Sequence, residues 1–198
     1  MRVSADVEGK RALRSSVRAT RAALGRVERD RQSAVITRQL LADVDVVSAQ
    51  TIHVYLSMST EVDTARFIRA QLSLGKCIVV PWMNPDRTMS TSMLLADDLE
   101  SIAEIGPLKV PQAETFRPTE PGCWDVVVVP LVAATLEGDR LGNGAGHYDR
   151  LLTQWARPSI GLALSAQIVD SLPLEPHDVR LTRVLTATAE SSPFRLAD

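Results

Sequence analysis

The sequence predicts an α/β fold in which a mainly parallel sheet is covered by helices on both faces. Two observations carry this. Short apolar, β-branched runs alternate along the chain with segments whose apolar residues recur at helical spacing, the pattern of strands joined by crossover helices. The most β-branched run, DVVVVP at Asp125–Pro130, lacks polar alternation, as expected of a central strand buried on both faces. The chain has 198 residues, 45% of them hydrophobic, with no internal repeat and no clear boundary, so it reads as a single domain over 1–198 with a sizeable core.

The elements follow in order. Residues 1–40 read as helical. Leu13, Val17 and Leu24 share a face, and Lys10, Arg14, Arg18 and Arg21 form a basic stripe beside it. Gly25 ends this helix, and a second carries Val35, Ile36, Leu40 and Leu41. The period then changes. TIHVYLS, Thr51–Ser57, alternates as a strand, with Ile52, Val54 and Leu56 on one face and His53 and Tyr55 on the other. STEVDTARFIRAQLSLGK reads as a helix, with Asp63 or Thr64 as its cap and Gly75 after its end. CIVVP is a short strand closed by Pro81, and MSTSMLL is a candidate for another. IGPLKVPQAETFRPTEPG, Ile105–Gly122, is rich in proline and glycine and reads as a long loop. After DVVVVP a glycine-rich loop leads into a helix through Tyr148, Leu151, Leu152 and Trp155. SIGLAL reads as a strand, SAQIVDSL as a short helix and LTRVLTA as the last strand.

Composition bounds the function. A net charge of −2 predicts neither strong nucleic-acid binding nor attraction to a membrane. The two cysteines cannot form a disulfide framework; Cys77, within CIVV, reads as a small buried hydrophobe, and Cys123 lies beside Trp124 at a strand entry. The N-terminus lacks the apolar stretch of a signal peptide, and no run reaches the ~20 apolar residues of a membrane helix. A soluble, cytoplasmic protein is the expectation.

RLGNGAGHYDR, Arg140–Arg150, places glycine at 142, 144 and 146. Bare backbone ahead of a helix N-terminus makes an anion site, because free N–H groups and the helix dipole both favour negative charge. No Gly-Lys-Ser/Thr follows, so this is not a P-loop, and G-x-G-x-G differs from the dinucleotide fingerprint. A flexible connection has the same composition. Three further features point to a phosphate site. Lys10 and Arg14, one helical turn apart, put two cations on one face. Glu61 follows the first strand, where open α/β sheets bind ligands. Asp149 adjoins the glycine loop and Asp178 lies in PHDV, and magnesium on a phosphate needs few protein carboxylates. Each has a plainer alternative: a solvated basic face, a helix cap at Asp149, a surface histidine at His177.

Taken in order, these segments resemble the 5-formyltetrahydrofolate cyclo-ligase family over nearly the whole chain. KRALR is similar to its N-terminal basic motif, YLSMSTEVDT to its strand-to-helix motif with a buried glutamate, and LPLEPHDVRLTRVLT to its C-terminal His-Asp segment. VVVVPLVAATLEGDRLGNGAGHYDR resembles its glycine-rich signature. The resemblance implies a three-layer α/β/α sandwich with a Rossmann-like sheet. It implies ATP-dependent conversion of 5-formyltetrahydrofolate to 5,10-methenyltetrahydrofolate, with magnesium as cofactor. It also implies roles. Lys10, Arg14 and the run Arg140, Leu141, Gly142, Asn143, Gly144, Ala145, Gly146, His147 and Tyr148 would hold ATP. Leu56, Glu61 and His147 would contact the folate, Asp149 and Asp178 magnesium, and Arg140 and Asp149 would be catalytic. No nucleic acid, membrane or obligate protein partner is expected.

The chain departs from the family pattern at Ala134–Thr135, where an aromatic-acidic pair is usual, and at His147, where a tyrosine is common. Trp82 stands where many members have arginine, and Thr186–Ala187 replaces a threonine-acid pair. Trp82 could stack on the pterin or pack in the core. The departures motivate an alternative, a relative that binds folate or nucleotide without turnover. The basic first helix motivates another, a polyanion-binding protein.

Overall fold

In the computed structural model the described residues are 2–101, 103–105, 108–110 and 115–187. Two helices open the chain, α1 (Arg2–Ala23) and α2 (Arg26–Leu41), followed by the short α3 (Val44–Ser48). The central sheet contains β1 (Thr51–Val54), β2 (Cys77–Met83), β3 (Met89–Leu94), β6 (Val126–Val129), β9 (Ser159–Ala163) and β10 (Arg183–Thr186), in the order β10-β9-β6-β1-β2-β3. All its pairings are parallel except the edge pair β2–β3. α4 (Ala65–Ser73) crosses from β1 to β2, and α6 (His147–Gln154) lies between β6 and β9.

The period of the strands sorts side chains to two faces. Val126 and Val128 pack with Ile52, Val54, Ile78 and Val80 against Ile36 and Leu40 of α2 and Phe67 and Ile68 of α4. Val127 and Val129 point the other way, toward Trp124 and toward Leu151 and Leu152 of α6. The result is the expected three-layer α/β/α arrangement. Val17 of α1 joins a smaller cluster with Val132, Ala133 and Leu141, which docks α1 beside the glycine loop. No helix among the described residues is long and apolar enough to cross a membrane.

Several boundaries differ from expectation, each for a local reason. β1 stops at Val54 rather than Ser57. Beyond it Tyr55 joins the same apolar cluster as Leu56, and the Thr64 hydroxyl donates to Tyr55 O (2.9 Å), so side-chain bonds replace the ladder. The following helix starts only at Ala65, because Met58 and Glu61 close a turn first (Glu61 N to Met58 O, 3.0 Å). Pro81 does not end β2; it lies past the three residues that pair with β1, where a missing N–H costs nothing. SAQIVDSL forms only a 3-10 turn, Ser165–Gln167, since the Gln167 amide donates to Leu131 O and Val132 O and fastens the chain to its neighbour. The long loop contains β5 (Leu108–Val110), antiparallel to β4 (Ala103–Ile105); residues 106, 107 and 111–114 lie outside the described residues. α5 (Asp98–Ser101) precedes them, and β7 (Ala133–Ala134) pairs with β8 (Arg140–Leu141) ahead of α6. Cys77 is exposed rather than buried, as the first residue of its strand, and Cys123 is exposed too.

His53 is the least expected core residue. It is fully buried, its ring 5.1 Å from Trp124 and 5.7 Å from Tyr148. Burial lowers its pKa to about 3, against roughly 6.5 in an unfolded chain. The unfolded chain therefore takes up the proton first. Stability is fully present above about pH 6.5 and is lost as pH falls toward the folded value, by on the order of 1 kcal/mol per pH unit. Denaturant titrations across this range should show that loss in the wild type, and a flatter dependence by the same amount in His53→Leu. Equal slopes would remove the assignment.

Candidate active site

The carboxyl ends of β1, β2 and β6 open on one cavity of about 830 Å3. It lies at the switch point of the sheet, where the chain leaves β1 for β2 on one side and later returns to β6 on the other. Lys10, Arg14, Leu56, Glu61, Asp178 and the whole run from Arg140 to Asp149 line it, so the structure brings together all the residues singled out from the sequence. Trp82 does not line it. Pro81 and Met83 face the cavity while Trp82, on the alternate face of β2, packs on Phe116 with ring centroids 4.6 Å apart.

Helix α1 supplies most of the order. Its basic stripe is solvated only in part: Lys10 and Arg21 are buried, Arg14 is half-buried and Arg18 is exposed. Lys10 Nζ bonds Glu175 Oε2 and Asp178 Oδ2, each at 2.6 Å. Burial alone would lower the lysine pKa, but these two carboxylates overcome it and hold it above the ordinary value. Arg14 Nε donates to Gly142 O (2.9 Å), and Arg18 Nη2 to Asn143 Oδ1 (2.9 Å). Arg21 reaches Glu61, with 3.9 Å between Nη1 and Oε1.

The glycines of the loop answer to different constraints. Gly144 (φ 101°) and Gly146 (φ 67°) adopt the left-handed region, and Gly146 is the N-terminal cap residue of α6. Gly142 has no such dihedral; a Cβ there would meet Arg140 Nη1 at 2.8 Å. Arg140 is buried and paired with Asp149 of α6. His147 opens that helix, its Nδ1 3.0 Å from Arg150 Nη2. Partial burial and the Arg150 guanidinium lower its pKa, so it is a neutral imidazole at pH 7.

Glu61 also lines the cavity and is 9% exposed. Burial raises its pKa; the Met58 N–H, which donates to Oε2 at 3.0 Å, and the Arg21 charge oppose that rise. The hairpin of β2 and β3 adds an apolar wall through Pro81, Met83 and Met89. The lining therefore combines cations of α1 and the glycine loop, the carboxylates Asp149, Glu175 and Asp178, an apolar strand end and the buried Glu61.

Glu175, His177 and Asp178 form a cluster whose ligand atoms lie within 4.8 Å of one another. Asp149, expected to share a metal with Asp178, lies outside that cluster and is paired with Arg140. Both aspartates line the cavity, and among the described residues Asp178 Oδ1 and Asp149 Oδ2 have no hydrogen-bond partner. Carboxylate oxygens facing a phosphate-sized space fit a hard dication that keeps much of its water. Sequence reasoning missed Glu175, although it lies three residues before Asp178 and donates its N–H to Asp178 Oδ2 (2.7 Å). It also missed Arg150 and Arg87; nothing in their local pattern marks them as cavity residues.

The departures from the family pattern are quiet structurally. Ala134 and Thr135 are buried at the β7–β8 hairpin, and Ala187 packs against the first core cluster.

Comparison with known proteins agrees with this geometry. The model of the 5-formyltetrahydrofolate cyclo-ligase family matches residues 6–187. The 5-formyltetrahydrofolate cyclo-ligase of Escherichia coli K12 is 34% identical over 148 residues, covering 71% of this chain and 80% of its own length. That of Mus musculus is 29% identical over 198 residues, covering 92% and 96%. The solved structure of Aquifex aeolicus 5,10-methenyltetrahydrofolate synthetase superposes with a TM-score of 0.75 at 26% identity, covering 89% of this chain and 88% of that one. The synthetase of Mycoplasma pneumoniae gives 0.71 at 28% identity, covering 89% and 98%. On its sequence, its fold and the match over residues 6–187, the chain belongs to the 5-formyltetrahydrofolate cyclo-ligase family.

Proposed function

We propose that this chain converts 5-formyltetrahydrofolate to 5,10-methenyltetrahydrofolate with consumption of ATP. One observation carries the reading: a single cavity is lined by a glycine-rich helix start, two cations of α1, an apolar strand end and a buried carboxylate. Those are the needs of a triphosphate on one side and a pterin on the other. Family membership supports the same reading.

In this reaction the formyl oxygen attacks the γ-phosphorus and ADP leaves. The phosphorylated formyl carbon is then electrophilic. N10 attacks it and loses its proton, the C–O bond to phosphate breaks, and the ring closes. The protein's part is positioning and charge stabilisation. Lys10 and Arg14 take phosphate oxygens, and the loop Gly142–Gly146 lies along the triphosphate. Arg140, oriented by its ion pair with Asp149, faces the charge that moves as phosphorus changes partners. Glu61 accepts the pterin's N–H donors, Leu56 packs on the ring, and neutral His147 offers its second nitrogen at the boundary between the two substrates. Asp178 and Asp149 are the residues to hold magnesium, which when bound neutralises phosphate charge.

Product formation followed by the absorbance of the methenyl compound should require both ATP and magnesium. Glu61→Gln, which keeps the shape and converts one acceptor to a donor, should cost roughly 1.5–3 kcal/mol in folate affinity or turnover, with ATP affinity nearly unchanged. An equal fall in ATP affinity would move Glu61 to the nucleotide side or to the fold. Full ATP binding with no product in the wild type would favour a binding protein without turnover.

Gly144→Val tests the phosphate loop. A β-branched side chain at φ 101° cannot keep this backbone, and its Cβ would sit 3.5 Å from the Arg14 guanidinium carbon. Mg-ATP at about 100 times its dissociation constant should add about 2.7 kcal/mol of apparent stability to the wild type. Gly144→Val should lose that thermal shift while melting cooperatively without ligand. A mutant that keeps the full shift contradicts the loop assignment.

A further inference from the structure

Arg21 lies near the C-terminal end of α1, 7% exposed, and is not among the residues that line the cavity. We propose that Arg21 is a positioning residue that holds Glu61 in its ionised form, so that its Oε1 stays an acceptor toward the substrate. The folate half of this inference rests on the assignment of Glu61 to the reduced folate made above.

The geometry separates charge from hydrogen bonding. Glu61 Oε2 is occupied by the Met58 N–H at 3.0 Å. Oε1 has no hydrogen bond among the described residues; Arg21 Nη1 stands 3.9 Å away, within ion-pair reach but beyond a hydrogen bond. Arg21 thus supplies positive charge without consuming the acceptor that a ligand's N–H would use. Glu61 is the rare carboxylate for which this matters, because burial pushes its pKa up. A protonated Glu61 would present an O–H donor to a ligand edge made of donors.

The other titratable neighbours cannot replace Arg21. Tyr55 is buried and Tyr148 partly buried, burial raises both pKa values so they stay neutral, and the Tyr55 hydroxyl donates to Val62 O (3.2 Å). Asp63 is a like charge that accepts from the Ala65 N–H, and Arg18 is turned to Asn143. Among the described residues Arg21 is the cation within ion-pair distance of Glu61. The dependence runs both ways. Burial lowers the Arg21 pKa, Glu61 raises it, and Arg21 Nε is buried without a partner. Arginine nevertheless remains charged, which lysine or histidine in such a site need not do.

The test compares wild type, Arg21→Gln and Arg21→Lys. Two quantities are read: the Glu61 carboxyl titration by carbon-13 NMR without added ligand, and equilibrium binding of 5-formyltetrahydrofolate and of Mg-ATP between about pH 6 and pH 9. Loss of the charge raises the Glu61 pKa further, so the binding form is lost at higher pH. Arg21→Gln should therefore move the titration up and weaken folate binding by about tenfold at the acid end, per unit of pKa shift, with recovery as pH rises. Mg-ATP binding should be unchanged, and Arg21→Lys should lie between the two. A merely structural role predicts a folate loss equal at every pH and no rescue by lysine, and that result overturns the proposal. An unmoved Glu61 titration in Arg21→Gln overturns it as well. If Arg21→Gln does not fold, Arg21→Lys decides, since its shorter reach must still raise the titration by a measurable amount. A wild type that binds no reduced folate would sink the functional assignment instead, and the NMR titration would still decide whether Arg21 sets the charge of Glu61.

Discussion

The site depends on one face of α1. Lys10, Arg14, Arg18 and Arg21 recur at intervals of three and four residues, and each touches a different part of the cavity wall: the 175–178 segment, two points of the glycine loop, and Glu61. A single rigid rod therefore sets the spacing between the glycine loop, the 175–178 segment and Glu61. Buried ion pairs are poor sources of net stability, because desolvation offsets their attraction, while removing one partner costs on the order of 3–5 kcal/mol. Their retention here makes sense as positioning. Val17, on the neighbouring face, supplies the apolar contact that docks the rod against Val132 and Leu141.

The sheet provides the complementary constraint. Its parallel strands end together, so the segments after β1, β2 and β6 converge on one edge. β1 is short because the Thr64 hydroxyl donates to Tyr55 O just past its end, and the turn that follows brings Glu61 to the cavity. The loop that follows β6 does the same for Arg140 through the β7–β8 hairpin. The left-handed glycines at 144 and 146 then let the backbone turn into α6 along the cavity.

Much of this was legible in the sequence, and the reasons are specific. DVVVVP carries no polar alternation, so its central position follows from composition alone. The glycine loop and the Lys10–Arg14 pair were legible because their spacing is local, and both line the cavity. The boundaries were less so. The end of β1 and the shortness of the Ser165–Gln167 turn are set by Thr64 and Gln167 side chains bonding to distant backbone, which no local pattern records. The same applies to charge: a stripe of basic residues looks alike whether solvated or buried, and only the partners Glu175, Asp178 and Glu61 distinguish them. His53 was placed on the correct face of β1, but its complete burial depends on Trp124 and Tyr148, far away in sequence.

The central claim is that α1 presents its cations to a nucleotide while holding the folate carboxylate in place. A crystal structure with Mg-ATP and 5-formyltetrahydrofolate tests it most directly. The account predicts Lys10 and Arg14 on phosphate oxygens, the glycine loop along the triphosphate, and Glu61 on the pterin with Arg21 still behind it. A triphosphate bound away from the α1 face, or a pterin that leaves Glu61 untouched, would contradict it.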